Sequence, residues 1–445
     1  MKKINRTALA CLCMIVCLAG CAVDPVGPPG EDNGKSAISI VPVTAKELQA
    51  PLYSEGNAAA SAAADGANDF AFRLAAALVG QTGDKNFVCS PYSVWIPLAA
   101  LVNATDQEHK AALVTALGAA GLGEAELNNA ASRMLYDLTR QRDKKDAEEY
   151  GEGGYHDPLK IANAVFVDHH VTLKKDFAQT FMDYYRGSSI NVDFRAQEAV
   201  DAVNQWAEDN TEGLITHIVQ EFDPATVAAI ANAIYFSDRW GWEFDPQETQ
   251  NDLFYAPSGN TEAFYMLREG MELAYYEDDQ VQAMPLGFKT GGGMYIILPK
   301  DGNAAGLLSA MDSGYFDEIQ GNSARREGKL LLPRFSIESD VMELKDTLTE
   351  LGVPLFDASA APLTGLLEEI PVWISSAVHK AVIKVDEKGT TAAAVTVIGA
   401  ATSAGPPDPT EPFEMICNKP FVFILYGNTY DGGTQVLFTG VVNQP

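Results

Sequence analysis

Catalysis and metal binding need nucleophiles, bases or ligands at workable spacings, and this chain of 445 residues offers few of them. It has no Gly-x-Ser-x-Gly elbow, no His-Glu-x-x-His pair, no phosphate loop and no dinucleotide glycine fingerprint. Gly121-Leu122-Gly123 lacks the third glycine and follows no clear strand. His169 and His170 are adjacent. On a strand their rings would point to opposite faces and not readily share a metal, and in a turn they read as ordinary exposed histidines. Cys89 and Cys417 lie in apolar surroundings, Phe87-Val88-Cys89 and Met415-Ile416-Cys417. They read as buried inert thiols, with one disulfide possible but not required, and without the paired Cys or His spacing of a zinc site. No catalytic residue, cofactor or metal ligand is assigned and the chain reads as no enzyme, although a triad of sequentially remote residues would leave no motif.

One segment stands apart by what it lacks. After Lys388 come Gly-Thr-Thr-Ala-Ala-Ala-Val-Thr-Val-Ile-Gly-Ala-Ala-Thr-Ser-Ala-Gly-Pro-Pro, and no charge appears before Asp408. Placed as a strand, Thr390, Ala392, Ala394, Thr396, Ile398, Ala400 and Thr402 share one face, and Thr391, Ala393, Val395, Val397, Gly399 and Ala401 the other. It lacks the large side chains of a built-in core strand and the charges of a protected edge. Its composition fits equally a buried strand plus loop and a segment that switches between exposed and inserted states.

The surrounding elements are those of an α+β domain. Asp69 can cap a helix carrying Phe70, Leu74 and Leu78, and a second helix follows Pro91 with Val94, Leu98 and Leu101. Strands then dominate, among them residues 162–167, 227–236, 294–298, 329–337, 377–385 and 421–426. Helices first, then strands at long irregular separations, argue for large sheets in one domain. The 31 lysines and arginines against 60 acidic residues disfavour nucleic acid and anionic membrane surfaces. The mixed charges of 141–155 read as a solvated helix end and loop.

The amino terminus carries Lys2, Lys3 and Arg6 ahead of an apolar run at 8–18, which reads as an export signal outside the fold. The run ends in Leu18-Ala19-Gly20-Cys21, which resembles the lipobox of bacterial lipoproteins. That resemblance implies acylation of Cys21 and a lipid anchor in the cell envelope, and the expected location is the outer membrane with the domain facing outward. Residues 1–20 are thus a signal peptide, 21–66 a Pro/Gly/Ala/Ser-rich flexible linker, and 67–445 the folded domain. As a random coil the linker would reach about 35 to 40 Å.

Glu387-Lys388-Gly389-Thr390-Thr391-Ala392-Ala393-Ala394-Val395-Thr396 closely resembles the inhibitory hinge of the serpins. The resemblance runs from about residue 68 to 445 and includes Asn86-Phe87-Val88-Cys89-Ser90-Pro91-Tyr92-Ser93, Val203-Asn204-Gln205-Trp206, Thr211-Glu212-Gly213-Leu214-Ile215, Leu332-Pro333-Arg334-Phe335 and Asn418-Lys419-Pro420-Phe421. It implies a serpin fold: a large central mixed sheet, further sheets, surrounding helices and an exposed reactive loop at about 387–412. It also implies a monomer that inhibits serine proteases, and some cysteine proteases, by covalent suicide trapping. Ser90, Ser93, Asn232 and His379 match the family's shutter, and Trp240, Arg334 and Glu387 its breach, where the loop enters the sheet. Family spacing puts the scissile bond between Ser403 and Ala404. Ala401 and Thr402 are alternatives, because Gly405-Pro406-Pro407-Asp408-Pro409 lengthens the loop. No cation lies near that bond, so elastase-like or subtilisin-like targets are expected rather than trypsin-like ones. Thr391 stands where inhibitory relatives commonly carry Glu. The alternative reading is a non-inhibitory binding protein on the same scaffold.

Overall fold

Alanine-rich and leucine-rich periodicity fills the first third of the chain, and there the computed structural model places α1 (Asn57–Val79), α2 (Pro91–Leu101), α3 (Gln107–Ala116) and α4 (Glu124–Thr139). The structure describes residues 9–20, 57–139, 159–389, 412–429 and 432–445. Helix α2 follows Pro91 as its sequence requires, and every one of its residues is buried. Helix α1 starts earlier than expected. Its first ten residues were read as linker, yet Ala58-Ala59-Ala60-Ser61-Ala62-Ala63-Ala64 contains the strongest helix former in dense supply. Asp69 consequently lies inside the helix and does not cap it; Arg73 Nε donates to its carboxylate at 2.8 Å, one turn on. Five further helices follow: α5 (Lys175–Tyr185), α6 (Gln197–Asn210), α7 (Ala304–Ala310), α8 (Ser313–Asn322) and α9 (Lys345–Glu350).

The strands in chain order begin with β1 (Leu9–Gly20), β2 (Phe87–Cys89), β3 (Leu159–Asp168), β4 (Gly187–Val192), β5 (Thr226–Ser237), β6 (Gln250–Ala256), β7 (Gly259–Glu277) and β8 (Val281–Gly287). They continue with β9 (Gly293–Pro299), β10 (Ala324–Pro333), β11 (Phe335–Glu338), β12 (Met342–Glu343), β13 (Val372–Val385), β14 (Phe413–Ile416), β15 (Phe421–Asn428) and β16 (Thr434–Val442). Among the described residues they form two sheets. The central one has the order β11-β13-β1-β5-β3-β4, with β12 also on β13; it is mixed, since β3 and β4 run parallel. The other has the order β14-β10-β7-β8-β9-β15-β16-β2, with β6 on β7. Helices and two large sheets make the α+β architecture expected from the sequence.

Two strand readings change. Residues 329–337 are not one strand: β10 belongs to the second sheet and β11 to the central sheet, and Arg334 is the residue between them. The larger change is at the amino terminus. Residues 9–20, read as lying outside the fold, form β1 at the middle of the central sheet, antiparallel to β13 on one side and β5 on the other. The pattern explains the difference. A strand buried on both faces is apolar throughout, just as an export signal is. Met14, Val16 and Leu18 join the main core. Ile15 and Cys17 join a second core on the opposite face, which α6 covers with Val203 and Ala207.

Cys21, the charged stretch 141–155, the hinge residues 390–396 and the candidate reactive bonds at 401–404 lie outside the described residues.

Candidate functional site

Strand β13 ends at Val385, and the next four residues are held tightly. Glu387 is 5 % exposed. Arg334 Nε donates to its Oε1 at 2.7 Å, and the Thr249 hydroxyl donates to the same oxygen at 2.5 Å. Burial alone would raise the pKa of this carboxyl, but the hydrogen bonds from Arg334 and Thr249 hold it below its ordinary value. Arg334 reaches it because the chain changes sheets there: its backbone N–H binds the Phe264 carbonyl at 2.9 Å, and its side chain is free to turn toward the end of β13.

Trp240 closes the other side. Its indole N–H donates to the Asp386 carbonyl at 2.9 Å and its backbone N–H to the Lys388 carbonyl at 3.3 Å, while Phe244 N–H takes the Glu387 carbonyl at 2.9 Å. The indole stacks on Phe288 with 4.8 Å between centroids. Gly389 then leaves this clasp at φ 61, a left-handed backbone. A Cβ there would stand 2.1 Å from Trp240 N. Only glycine fits where the chain departs. The structure thus brings Trp240, Arg334 and Glu387 together. Thr249, which the sequence did not single out, completes the clasp.

Lower in the same sheet lies a buried polar group. Ser90, Ser93, Asn232 and His379 are all 0 % exposed. They form two pairs rather than one cluster: the Ser93 hydroxyl donates to Asn232 Oδ1, and the Ser90 backbone N–H donates to His379 Nε2 at 3.1 Å. Strand β1 runs between the pairs, with Met14 opposite Asn232 on β5 and opposite His379 on β13. Asn232 Nδ2 continues to Asn163 Oδ1 at 2.8 Å, Asn163 Nδ2 to the Tyr185 carbonyl at 2.7 Å, and Tyr185 OH to Asn128 Oδ1 at 2.8 Å. Sequence reading missed Asn163, Tyr185 and Asn128. A signal existed at Asn163, a lone amide in the apolar run Ile161-Ala162-Asn163-Ala164-Val165.

Because His379 Nε2 accepts, the ring proton sits on Nδ1, and among the described residues Nδ1 has no partner; nor has the Ser90 hydroxyl. Each unpaired buried polar atom costs about 1 to 3 kcal/mol, so this part of the sheet is held less firmly than its burial suggests. Burial also lowers the His379 pKa from 6.5 to about 3, so the ring is neutral. Below its ordinary value the unfolded chain takes up a proton that the folded chain refuses. The residue's contribution is therefore complete above about pH 6.5, and about 2 kcal/mol is lost by pH 5. Denaturant unfolding at pH 7 and pH 5 should show this loss, and His379→Gln should flatten it. An unchanged pH slope in that variant would assign the dependence elsewhere. The Glu387 carboxyl acts in a separate window: its stabilising effect is full above about pH 4.5 and falls only as pH drops through its lowered value.

The other candidates carry no such arrangement. Cys89 and Cys417 are fully buried, unpaired thiols whose pKa burial raises well above the ordinary range. His169 and His170 follow β3 in a turn, so the opposite faces of a strand do not apply, and their rings lie 3.8 Å apart. Asp168 fixes that turn by accepting from His170 Nδ1 at 2.7 Å and from Phe194 N–H at 3.2 Å.

Comparison with known proteins places the fold in a family. An uncharacterised serpin-like protein of Thermococcus kodakarensis is 32% identical over 64% of this chain and 66% of its own length. The alpha-1-antitrypsin of Meriones unguiculatus is 30% identical over 85% of this chain and 89% of its own. Among solved structures, the thermophilic serpin tengpin in its native state superposes with a TM-score of 0.71 at 23% identity, covering 86% of this chain and 94% of that one. Human thyroxine-binding globulin with its hormone superposes at 0.72, also at 23% identity, over 87% and 99%. The family model described as serpin (serine protease inhibitor) matches residues 65–445, and the chain belongs to the serpin family.

Proposed function

We propose that the protein is a consumed inhibitor of elastase-like or subtilisin-like serine proteases, acting by covalent trapping and loop insertion. Serpin loop insertion is itself a standard case of strand addition to a sheet. The protease serine attacks the carbonyl carbon of Ser403, and its proton passes through the protease histidine to the amine of Ala404, which departs as a new amino terminus. An ester then joins the protease to Ser403. About fifteen residues entering the sheet would carry that ester some 50 Å, at roughly 3.3 Å per residue.

The observation that carries this reading is the seat beside β13. A segment that leaves β13 through the Gly389 turn and folds back must lie antiparallel to β13, on the side facing β5. That seat exists at full length, and a strand without charges fills it with hydrogen bonds on both edges. The reactive segment shares the required character, uncharged on both faces.

The bait sets the target class. Ala400, Ala401, Thr402, Ser403 and Ala404 are small and none is cationic. The chain without residues 1–20 is expected to consume an elastase-like or a subtilisin-like protease progressively and irreversibly, and to leave trypsin-like activity intact. Inhibition confined to trypsin-like enzymes would overturn the assignment. One observation favours the binding-protein alternative: the seat is already filled by β1, and a chain with a permanently filled seat cannot insert its loop. The small residues of the hinge speak against it. Acylation of Cys21, tethering of a monomeric domain to the outer membrane and outward exposure complete the proposal, supported by the lipobox-like Leu18-Ala19-Gly20-Cys21.

A further inference from the structure

We infer that the cleft between β5 and β13 is a binding site for the chain's own residues 9–20, and that while this internal ligand is seated the protein cannot trap a protease. The inference rests on the insertion mechanism proposed above.

The contact is extensive. All twelve residues of β1 pair with β13, from Leu9 opposite Lys384 to Gly20 opposite Val372. Eleven of them also pair with β5, from Leu9 opposite Ser237 to Ala19 opposite Thr226. At roughly 3.3 Å per residue this fills about 40 Å of the cleft. The filled length runs from the level of the Trp240 and Glu387 clasp, past Asn232 and His379, to the foot of the sheet. Met14, Ile15, Val16 and Leu18 are each 0 % exposed and Ala19 2 %. Cys17 is 8 % exposed, and its thiol pKa is pushed up to about 12 by burial, so it packs as an apolar side chain. The Ser375 hydroxyl adds a bond to the Cys17 carbonyl at 3.2 Å.

Two features make the site selective. A strand with edges on both sides must satisfy its backbone on both, so the ligand must be fully extended and free of proline. Both of its faces meet apolar cores, the main one and the one beneath α6, so it must be free of charge as well. Residues 9–20 meet both conditions, and no neighbour can share the cleft with them, because each edge of β5 and of β13 that faces the cleft is already paired. Removal of residues 1–20 would then free the seat as well as expose Cys21.

The test compares the full chain with a full-chain variant carrying Met14→Glu and Val16→Glu, which put carboxylates into the main core and should expel β1 without touching the rest of the domain. Hydrogen exchange read by mass spectrometry should show residues 9–20 protected as strongly as β5 in the full chain, and unprotected in the variant. Against an elastase-like or subtilisin-like protease, the full chain should give cleavage with at least about tenfold less covalent complex than the variant; an opening penalty of about 1.4 kcal/mol suffices for that. Rapid exchange of 9–20 in the full chain, or equal trapping by both chains, would overturn the inference. Absence of trapping by the variant and by the chain lacking residues 1–20, with 9–20 still protected in the full chain, would instead count against the inhibitory reading.

Discussion

Thr390→Arg in the chain lacking residues 1–20 should turn the inhibitor into a substrate, with the yield of covalent complex falling at least about tenfold while cleavage of the loop proceeds at its normal rate. Thr390 follows Gly389 directly, so under the proposed mechanism it would be among the first residues to enter the sheet. It shares a face with Ala392 and Ala394, the face expected to meet the main core. A guanidinium there would be stripped of water on entering the sheet, a penalty of several kcal/mol. Trapping is a race between insertion and hydrolysis of the ester, and each 1.36 kcal/mol added to the insertion barrier slows it about tenfold. The scissile bond is remote from residue 390 in sequence, so attack on it is untouched. The ratio of complex to cleaved inhibitor on denaturing gels reads the outcome directly, with Thr390→Ala as the control that should still trap. Full complex yield from Thr390→Arg would mean that this residue does not enter the sheet.

The second large effect is on stability. Asn232→Leu removes the acceptor of the Ser93 hydroxyl and the donor to Asn163 Oδ1 at 2.8 Å, at a residue that is fully buried. Two buried polar groups are left unpaired at about 1 to 3 kcal/mol each, so a loss of about 3 to 5 kcal/mol is expected. For a domain of this size that lowers Tm by roughly 5 °C. The Ser93→Ala variant should lose less, and the double variant should lose less than the sum, because the two side chains share one hydrogen bond. Additive losses would show that Ser93 and Asn232 do not act together. A loss below about 1 kcal/mol for Asn232→Leu would remove the polar pair from any account of how the sheet is held shut.

How far the sequence carried this picture depended on the range of the interactions. Local pattern was enough for α2 after Pro91 and for β5, β9 and β15, whereas the hinge at 387–396 was assigned by its likeness to the serpin hinge, and the structure describes only its residues 387–389, with Gly389 in a left-handed backbone against Trp240. The partners of that hinge were legible only through family resemblance, since Arg334 and Glu387 are far apart in the chain and meet because β10 and β11 belong to different sheets. Thr249 carried no signal, being one threonine in a loop. The line from Asn232 through Asn163 to Tyr185 depends on β3 pairing with β5 so that the two asparagines face each other, a register that composition does not encode. The linker boundary failed because an alanine-rich stretch serves a spacer and a helix equally well, and tertiary contact with the core decided for α1. Residues 9–20 support two roles for a related reason: twelve uncharged residues suit a membrane-directed signal and a doubly buried strand alike, and the sequence reading considered only the first.

The central claim is that the domain traps a protease as an ester while its loop joins the sheet. Mixing the chain that begins at Cys21 with a subtilisin-like protease and measuring the intact mass of the denatured products tests it most directly. The account predicts one species in which the protease is joined to residues 21–403, together with a released peptide whose amino terminus is Ala404. Recovery of fully active protease alongside cleaved inhibitor, with no joined species, would contradict it.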